Sequence, residues 1–232
     1  MHNDNTIVEC VFDIQFESVS VAESYIATIA KVDGFEQITK LPLHQVPDSI
    51  RKNDPNLKMQ PLYEITSTSN SDYKVMLGDN VIGIAIKSSY TSWTTSFFPQ
   101  LKKLFTEIFN TKKINNINRM GLRYVDFLEN ENIFETGKIK VNINDSGTKK
   151  MFLRVEDSLN GVMYNKVITN NVKYQNLGND GSIIDIVTSI ENYSIENDNY
   201  NDIFKKIDEL HIINKNKFKE VISDEEIEKY GI

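Results

Sequence analysis

The sequence predicts an α+β fold, in which mainly antiparallel or mixed sheets carry long amphipathic helices. Apolar and polar residues alternate over several segments, which is the pattern of strands with one buried face. Segments with apolar residues at helical spacing follow groups of strands and do not alternate with single strands, and this order favours α+β over a doubly wound sheet. Of the 232 residues, 40% are hydrophobic and 25% are charged, so the chain can bury a core without a disulfide or a metal.

The first half of the chain begins with a strand over residues 7–16, in which every second residue is apolar. A helix is predicted over 21–32, where apolar residues recur at helical spacing. Residues 35–61 contain four of the five prolines and little periodicity, which predicts a long irregular loop. The pair Asp79-Asn80 is a tight-turn signal and predicts a hairpin. The strands predicted around this turn and before it are 62–69, 73–78 and 81–87.

A long helix is predicted after Ser92, which has the residue type of an N-cap. The apolar stripe from Trp93 to Ile108 supplies the buried face of this helix. Asn160-Gly161 predicts a second tight turn. The strands predicted in the second half are 117–128, 138–144, 151–157, 162–174 and 182–193.

The tail of the chain is predicted to be helical over 201–221, because apolar residues again recur at helical spacing. Ser223 and Glu226 have the spacing of a capping box, which predicts a short last helix. Phe218 within the tail is expected to be buried against the sheet.

Domain organisation is predicted from the absence of any Gly/Ser-rich linker. Residues 1–232 are expected to form a single compact unit. In each half, strands lead through a hairpin into a last apolar strand and then a long helix. The sequence therefore also allows an internal duplication, with two similar and closely packed halves, 1–128 and 129–232.

The cellular compartment is predicted from the cysteine content, the first six residues and the length of the apolar stretches. Cys10 is the only cysteine, so no disulfide can form within the chain, and its place in an apolar strand predicts a buried thiol. Residues 1–6 lack the basic-then-apolar pattern of a signal peptide, and no apolar stretch approaches the roughly 20 residues that cross a bilayer. These features predict a cytoplasmic protein with no membrane contact.

The charge balance is acidic. Lysine and arginine total 26 against 33 aspartate and glutamate residues, which gives a formal net charge of -7. Nonspecific binding to nucleic acid depends on an excess of basic residues. The balance therefore argues against nucleic acid as a partner.

The most informative local pattern is the series Arg119, Gly121 and Arg123, whose side chains share one face of a strand. Two guanidiniums with a glycine between them can grip a phosphate or a carboxylate in bidentate fashion. The alternative, which we favour, is that they pair across strands with carboxylates such as Glu9 and Asp13, which have the same spacing. The pattern thus predicts either an anion site or a set of structural ion pairs.

Aromatic residues cluster at the entry to the long helix. Trp93 and Phe97 have the helical spacing of core residues. Tyr90 lies outside that stripe, and we expect it to be an exposed contact for a ligand or a partner.

Motifs for catalysis, metals and cofactors are absent from the sequence. The three histidines, His2, His44 and His211, are scattered, and no HxxxH, HExxH or CxxC spacing occurs. There is no G-x-S-x-G elbow and no glycine-rich phosphate loop. We therefore expect no metal and no cofactor, and favour a protein that is not an enzyme.

In several segments the chain resembles a sporadically distributed family of bacterial and archaeal proteins of about this length. The resemblance covers nearly the whole chain and depends on the order of these segments. It implies no activity and no catalytic residues, but the patchy distribution of the family suggests mobile elements or antiphage defence. The segments are Ile7-Val8-Glu9-Cys10-Val11-Phe12-Asp13-Ile14-Gln15-Phe16, Tyr90-Thr91-Ser92-Trp93, Arg119-Met120-Gly121-Leu122-Arg123-Tyr124, and the closing stretch with His211, Phe218 and Ile222-Ser223-Asp224-Glu225.

Two functions from different classes follow. The first is a noncatalytic protein that binds or regulates a protein partner, in a bacterial defence or toxin-neutralising module, with self-association also open. The second is a sensor for a small anion or nucleotide, or an unfamiliar enzyme, that uses the face of Arg119 and Arg123. The two differ in whether these arginines face unpaired into a cavity or form ion pairs with Glu9 and Asp13.

Overall fold

A computed structural model gives the fold of the chain, and it confirms the α+β class. The strands form one antiparallel sheet of nine in the order β2-β3-β4-β5-β1-β6-β9-β8-β7. The residues that the structure describes are 6–18, 20–32, 34–69, 72–87, 89–114, 116–141, 150–174, 179–194 and 200–230.

The strands follow the predicted segments within a few residues, with one addition, β2. Their bounds are β1 Ile7–Phe16, β2 Phe35–Lys40, β3 Tyr63–Ser67, β4 Tyr73–Leu77, β5 Val81–Ile86, β6 Asn116–Glu129, β7 Phe152–Leu159, β8 Val162–Lys173 and β9 Asp180–Ser194.

The helices include the two long ones that the sequence predicts, α4 and α6. A single π-helical turn over Trp93–Phe97 precedes α4, and a 3-10 turn covers Pro42–Gln45. The α-helices are α1 Glu23–Ile29, α2 Asp48–Asn53, α3 Pro55–Lys58, α4 Phe98–Asn110, α5 Ile133–Thr136, α6 Tyr200–Lys219 and α7 Asp224–Tyr230.

Two predictions of local structure were wrong. Residues 35–61 are not an irregular loop, because they form β2, the 3-10 turn, α2 and α3. Pro42 and Pro55 lie in the first turns of their helices, where the missing N–H costs no hydrogen bond. The strand predicted at 138–144 is absent over 138–141, and the rest of that segment lies outside the described residues.

Both predicted tight turns and the capping box are confirmed. Asn160 and Gly161 have φ of 52° and 81°, as the two central residues of a type I′ hairpin require, and they connect β7 to β8. The Ser223 N–H donates to Glu226 Oε2 at 2.8 Å, and the Glu226 N–H donates to Ser223 Oγ at 3.1 Å.

Contacts between residues divide the chain into two units, each built from several segments. The first consists of Met1–Cys10, Leu122–Ser189 and Asp208–Ile232, and the second of Val11–Gly121 and Ile190–Ile207. The prediction of a single compact unit, or of two packed halves, stays a prediction.

The second unit has an aromatic core on one face of its strands. Phe12 and Phe105 meet edge to face with ring centroids 5.1 Å apart, and both are fully buried. Tyr200 stacks on Phe109 at 5.1 Å and donates its hydroxyl hydrogen to the Phe109 carbonyl at 2.9 Å. Burial of rings of this size contributes about 1.5–3 kcal/mol each, so this core holds α4 and the start of α6 on the strands.

The first unit covers one face of its strands with helices and leaves the other face more open. On the covered face lies a core of fully or almost fully buried residues. This core contains Phe218, whose predicted burial is confirmed. The members of this core are Leu128, Ile133, Phe134, Ile168, Ile184, Ile186, Phe218, Val221 and Ile222.

The order of elements repeats along the chain. A first strand, β1, is followed by α1, by the meander β3-β4-β5 and by α4. A later strand, β6, is followed by α5, by the meander β7-β8-β9 and by α6. In each series the last strand of the meander is the neighbour of the first strand in the sheet. The second series begins at β6, inside the predicted first half, so the predicted duplication into 1–128 and 129–232 stays a prediction.

Candidate functional site

Arg123 lies on the open face of the first unit and is bound by two carboxylates. Its Nε and Nη2 donate to Asp185 Oδ1 and Oδ2 at 2.9 and 2.8 Å, which is a bidentate pair. Its Nη1 donates to Glu9 Oε2 at 3.2 Å. The hydrogen bond with Asp185, and the charges of both carboxylates, raise the pKa of the Arg123 guanidinium. The side chain keeps 42% of its surface exposed, so this network is partly hydrated.

Arg119 has its own carboxylate within the second unit. Its Nη1 lies 2.8 Å from Asp13 Oδ2. Burial by the surrounding strands raises the pKa of Asp13, and the charge of Arg119 opposes that rise. Gly121 makes room for this pair, because a Cβ there would lie 2.5 Å from Arg119 Nη2.

The geometry therefore favours structural ion pairs over an anion site at Arg119 and Arg123. Glu9 and Asp13 accept hydrogen bonds from the two arginines. A phosphate that approached either guanidinium would meet the negative charge of a carboxylate that is already bound to it.

Asp185 is the partner that the sequence analysis missed. It lies 62 residues from Arg123 in sequence, so only the order of the strands shows that they meet. One signal in the sequence could have found it. Asp185 lies between the buried residues Ile184 and Ile186, so on a strand its side chain points to the face opposite theirs.

The prediction that Tyr90 is an exposed contact was wrong. Its side chain is 6% exposed, because the ring packs at 6.3 Å from the Phe97 ring. Trp93 and Phe97 are buried as the helical spacing predicts. Tyr90 therefore belongs to the core at the start of the long helix.

A buried polar cluster lies on the covered face of the first unit. The Tyr124 hydroxyl is 3.0 Å from His211 Nδ1, which joins β6 to α6. Burial lowers the pKa of His211 to about 4, so the ring is neutral at pH 7 and can accept this hydrogen bond. Burial raises the pKa of the Cys10 thiol well above its usual value, and the Tyr124 hydroxyl opposes that rise. A buried thiol with a raised pKa is a poor nucleophile.

Asp126 is a buried acid that the sequence analysis did not single out. Its carboxyl is 4% exposed and accepts a hydrogen bond from Thr6 Oγ1 at 2.7 Å. Burial raises the pKa of Asp126 to about 7, and the charge of Asp185 contributes to the rise. Perturbed carboxyls also occur at catalytic sites. This one touches a core hydroxyl, and among the described cavities none is lined by it.

The remaining histidines are His44 and His2. Over the described ranges, no group of three or more His, Cys, Asp or Glu side chains is placed to hold a metal ion. His44 lies in the 3-10 turn with its ring 5.2 Å from that of Tyr63, and His2 lies outside the described residues. No helix in the described part of the chain is both long and apolar enough to cross a membrane.

A polar cleft of about 620 Å³ opens on the second unit. Three lysines and two carboxylates are among the residues that line it. Lys58 Nζ lies 3.9 Å from Glu17, and Lys113 Nζ donates to the Ser24 carbonyl at 3.1 Å. The lining residues are Glu17, Ser18, Ser20, Val21, Lys52, Lys58, Asp79, Asn80 and Lys113.

Exposed apolar residues concentrate on the β7–β8 hairpin of the first unit. Seven large apolar side chains are exposed in the described part of the chain, and three of them are Phe152, Leu159 and Met163. Phe152 is 65% exposed and Met163 is 47% exposed. Met163 lies opposite Ser158, so Phe152 and Met163 point to the same face. Leu159 points to the opposite face, and Phe152 lies six residues, or about 20 Å, along the strand from Ser158, the partner of Met163. We call the hairpin face that carries Phe152 and Met163 the hairpin patch.

We expect Arg123→Ala to destabilise the fold. The substitution leaves Glu9 and Asp185 close together without their shared cation. A fully buried pair loses about 3–5 kcal/mol when one partner is removed, and partial exposure reduces this to about 1–2 kcal/mol. Urea denaturation measures the change. The control is Lys205→Ala, which removes an exposed pair with Asp202 and should leave the midpoint unchanged. An unchanged or raised midpoint for Arg123→Ala would show that the network is not structural.

Asp126 should make the protein less stable as the pH rises. Because its pKa is higher in the folded chain than in the unfolded chain, its favourable contribution is complete below about pH 4 and is lost as the pH approaches about 7. At pH 8 the cost of ionising it in the fold is about 4 kcal/mol. Asp126→Asn should therefore raise the melting temperature at pH 8 and change it little at pH 4. The exposed control Asp180→Asn should show no such difference, and equal effects of Asp126→Asn at both pH values would contradict the assignment.

The comparisons with known proteins leave the function to be argued from this geometry. The chain matches no protein-family model, no curated protein and no solved structure.

Proposed function

We propose that this chain is a noncatalytic protein that binds or regulates a protein partner through the hairpin patch. The observation that carries the proposal is the exposure of Phe152 and Met163 on the same face of one hairpin. Isolated exposed apolar residues are common, so the proposal depends on this face presenting both side chains to one partner. Phe152 is the most exposed of these side chains and serves as the anchor.

The strand that carries Phe152 also supports a mode of recognition. β7 stands at the end of the sheet order and pairs with β8. An edge strand offers backbone N–H and C=O groups to an extended segment of another protein, and neighbouring apolar side chains then give specificity. The proposed contact is therefore addition of a strand beside β7.

The chemistry of the polar groups supports a noncatalytic role. Arg119 and Arg123 are bound by carboxylates, and the neutral His211 is hydrogen-bonded within the fold. Cys10 is buried and its thiol pKa is raised. Each of these groups has a structural partner, and none faces a described cavity.

The proposed setting is a bacterial defence or toxin-neutralising module in the cytoplasm. It is supported by the resemblance to a sporadically distributed family, which is itself a proposal. The single free cysteine suits a reducing compartment, where disulfides are rare.

The proposal is tested by affinity purification of the tagged full chain from its native cells, with mass spectrometry of the captured proteins. We expect Phe152→Ser to reduce the recovery of the specific partner at least about tenfold, as loss of a central aromatic anchor does. The matched control is Ile50→Ser, which removes an apolar side chain that is 53% exposed and lies outside the hairpin patch. Equal recovery with wild type and Phe152→Ser would refute the role of this surface.

A second candidate function is sensing of a small anion, which the lysines of the polar cleft favour. Lys52, Lys58 and Lys113 line it together with the hydroxyls of Ser18 and Ser20. Ammonium and hydroxyl groups are common ligands of phosphate. In this second candidate the anion would bind in the cleft and not at the arginine face.

Inorganic phosphate and ATP are the probes for this second function. Either one, if bound to the folded chain, should raise the melting temperature as its concentration increases. Lys52→Ala combined with Lys58→Ala should abolish that rise, whereas Lys205→Ala, on an exposed pair outside the cleft, should retain it. No rise with either probe would eliminate the sensor.

A further inference from the structure

We propose that the partner of β7 is a second copy of this chain, whose β7 pairs antiparallel with it and extends the sheet across a two-fold axis. In the proposed register Val155 lies opposite Val155 of the second copy. This inference rests on the proposed function, because it uses the same edge and the same hairpin patch.

The two edges of the sheet differ in their suitability for such pairing. β2, at one end of the order, has an irregular register between Phe35 and Gln37 and carries Lys40 at its end. Bulges and lysines are the devices by which edge strands avoid pairing. β7, at the other end, pairs with β8 in regular register over all eight residues and contains neither proline nor lysine. Among the described residues no strand lies beyond β7, so its outer row of backbone groups is suited to a further strand.

The charges on β7 are complementary to themselves in one register. Arg154 and Glu156 point to the same face and form an ion pair with each other within β7, and their side chains are 57% and 58% exposed, so both remain accessible to a second strand. Two antiparallel strands centred on Val155 place Arg154 opposite Glu156 of the other copy, and Glu156 opposite Arg154. Opposite charges that face each other across antiparallel strands stabilise the pair. Both contacts form at once because the axis repeats them.

Neighbouring symmetric registers are disfavoured by the same charges. A pairing centred on Arg154 places two guanidiniums opposite each other, and a pairing centred on Glu156 does the same with two carboxylates. Like charges directly opposite one another destabilise a sheet. Of these three registers, the charges of β7 favour the one centred on Val155.

The hairpin patch is also continuous in this register. Phe152 lies opposite Ser158 of the second copy, and Ser158 is the neighbour of Met163 on β8. Met163 of the other chain then lies two strands, or about 10 Å, from Phe152, and the small serine between them leaves room for the two long side chains to lean toward each other. Two such contacts bury the most exposed apolar side chains of the hairpin.

The first experiment exchanges the charges in the purified full chain and measures association by sedimentation velocity over a concentration series. In Arg154→Glu, carboxylates at positions 154 and 156 of the two copies face each other. In Glu156→Arg, guanidiniums at these positions face each other. Each variant alone should dimerise about tenfold more weakly than wild type, because both attractive pairs become repulsive. Since both side chains are more than half exposed, melting temperatures should stay unchanged and show that folding is not affected.

Recombination of the charges then tests the register. An equimolar mixture of Arg154→Glu and Glu156→Arg should form a heterodimer with the affinity of wild type. The double variant Arg154→Glu/Glu156→Arg should form a homodimer of the same affinity. If neither the mixture nor the double variant dimerises with the affinity of wild type, the proposed register is wrong.

A cysteine on the axis provides an independent measurement. Directly opposed residues on antiparallel strands have Cα atoms about 4.5–5.5 Å apart, within the roughly 4.4–6.8 Å that a disulfide spans. Val155→Cys should therefore form a covalent dimer on mild oxidation. The control Ser158→Cys should not, because in this register its two copies are six residues, or about 20 Å, apart. Native Cys10 is buried and does not interfere. Equal cross-linking of both variants would contradict the register.

The outcomes separate this inference from the proposed function. A wild-type chain that stays monomeric, while Phe152→Ser still loses a captured protein, overturns the second copy as partner and retains the proposed function. If the wild-type chain is monomeric and Phe152→Ser captures the same proteins as wild type, both the second copy as partner and the proposed function are overturned.

Discussion

The ion-pair network of Arg123 is the interaction on which the arrangement of the central strands depends. Arg123 lies on β6, the middle strand of β1-β6-β9, and binds Glu9 on one neighbour and Asp185 on the other. A slip of either strand by one residue would turn its carboxylate to the opposite, helix-covered face. The guanidinium would then lose a partner, and an unpaired charge would lie in the core. The network therefore specifies register as well as adding stability.

Polar groups on the covered face determine where helix α6 lies on the strands. Asn214 of α6 donates to the carbonyls of Ile186 and Leu122 at 2.9 and 3.3 Å, and it is 1% exposed. His211, one turn earlier, meets the Tyr124 hydroxyl. Apolar packing alone tolerates sliding and rotation, whereas a buried polar group is stable only where its partner lies. These contacts thus fix the position of α6 on β6 and β9.

The sequence was sufficient where the pattern is local. Alternation along the strands, the apolar stripe of α4, the Asn160-Gly161 turn and the Ser223 cap all depend on residues within a few positions of each other. It was insufficient where a pattern has two physical causes. The prolines of residues 35–61 suggested irregular structure, but proline also starts helices. For the candidate site, the arginine spacing was visible, while the meeting of Arg123 with Asp185 depends on strand order, which no local pattern records.

The irregular edge strand β2 has a consequence for assembly size. A strand that pairs with its own copy through a two-fold axis uses up that edge in both molecules. Growth beyond two chains would then require the opposite edge, and there the bulge at Phe35 and Gln37 interrupts the regular ladder. A protein with two equally receptive edges would polymerise into open-ended fibrils, whereas one receptive edge and one disrupted edge give a closed particle of defined stoichiometry.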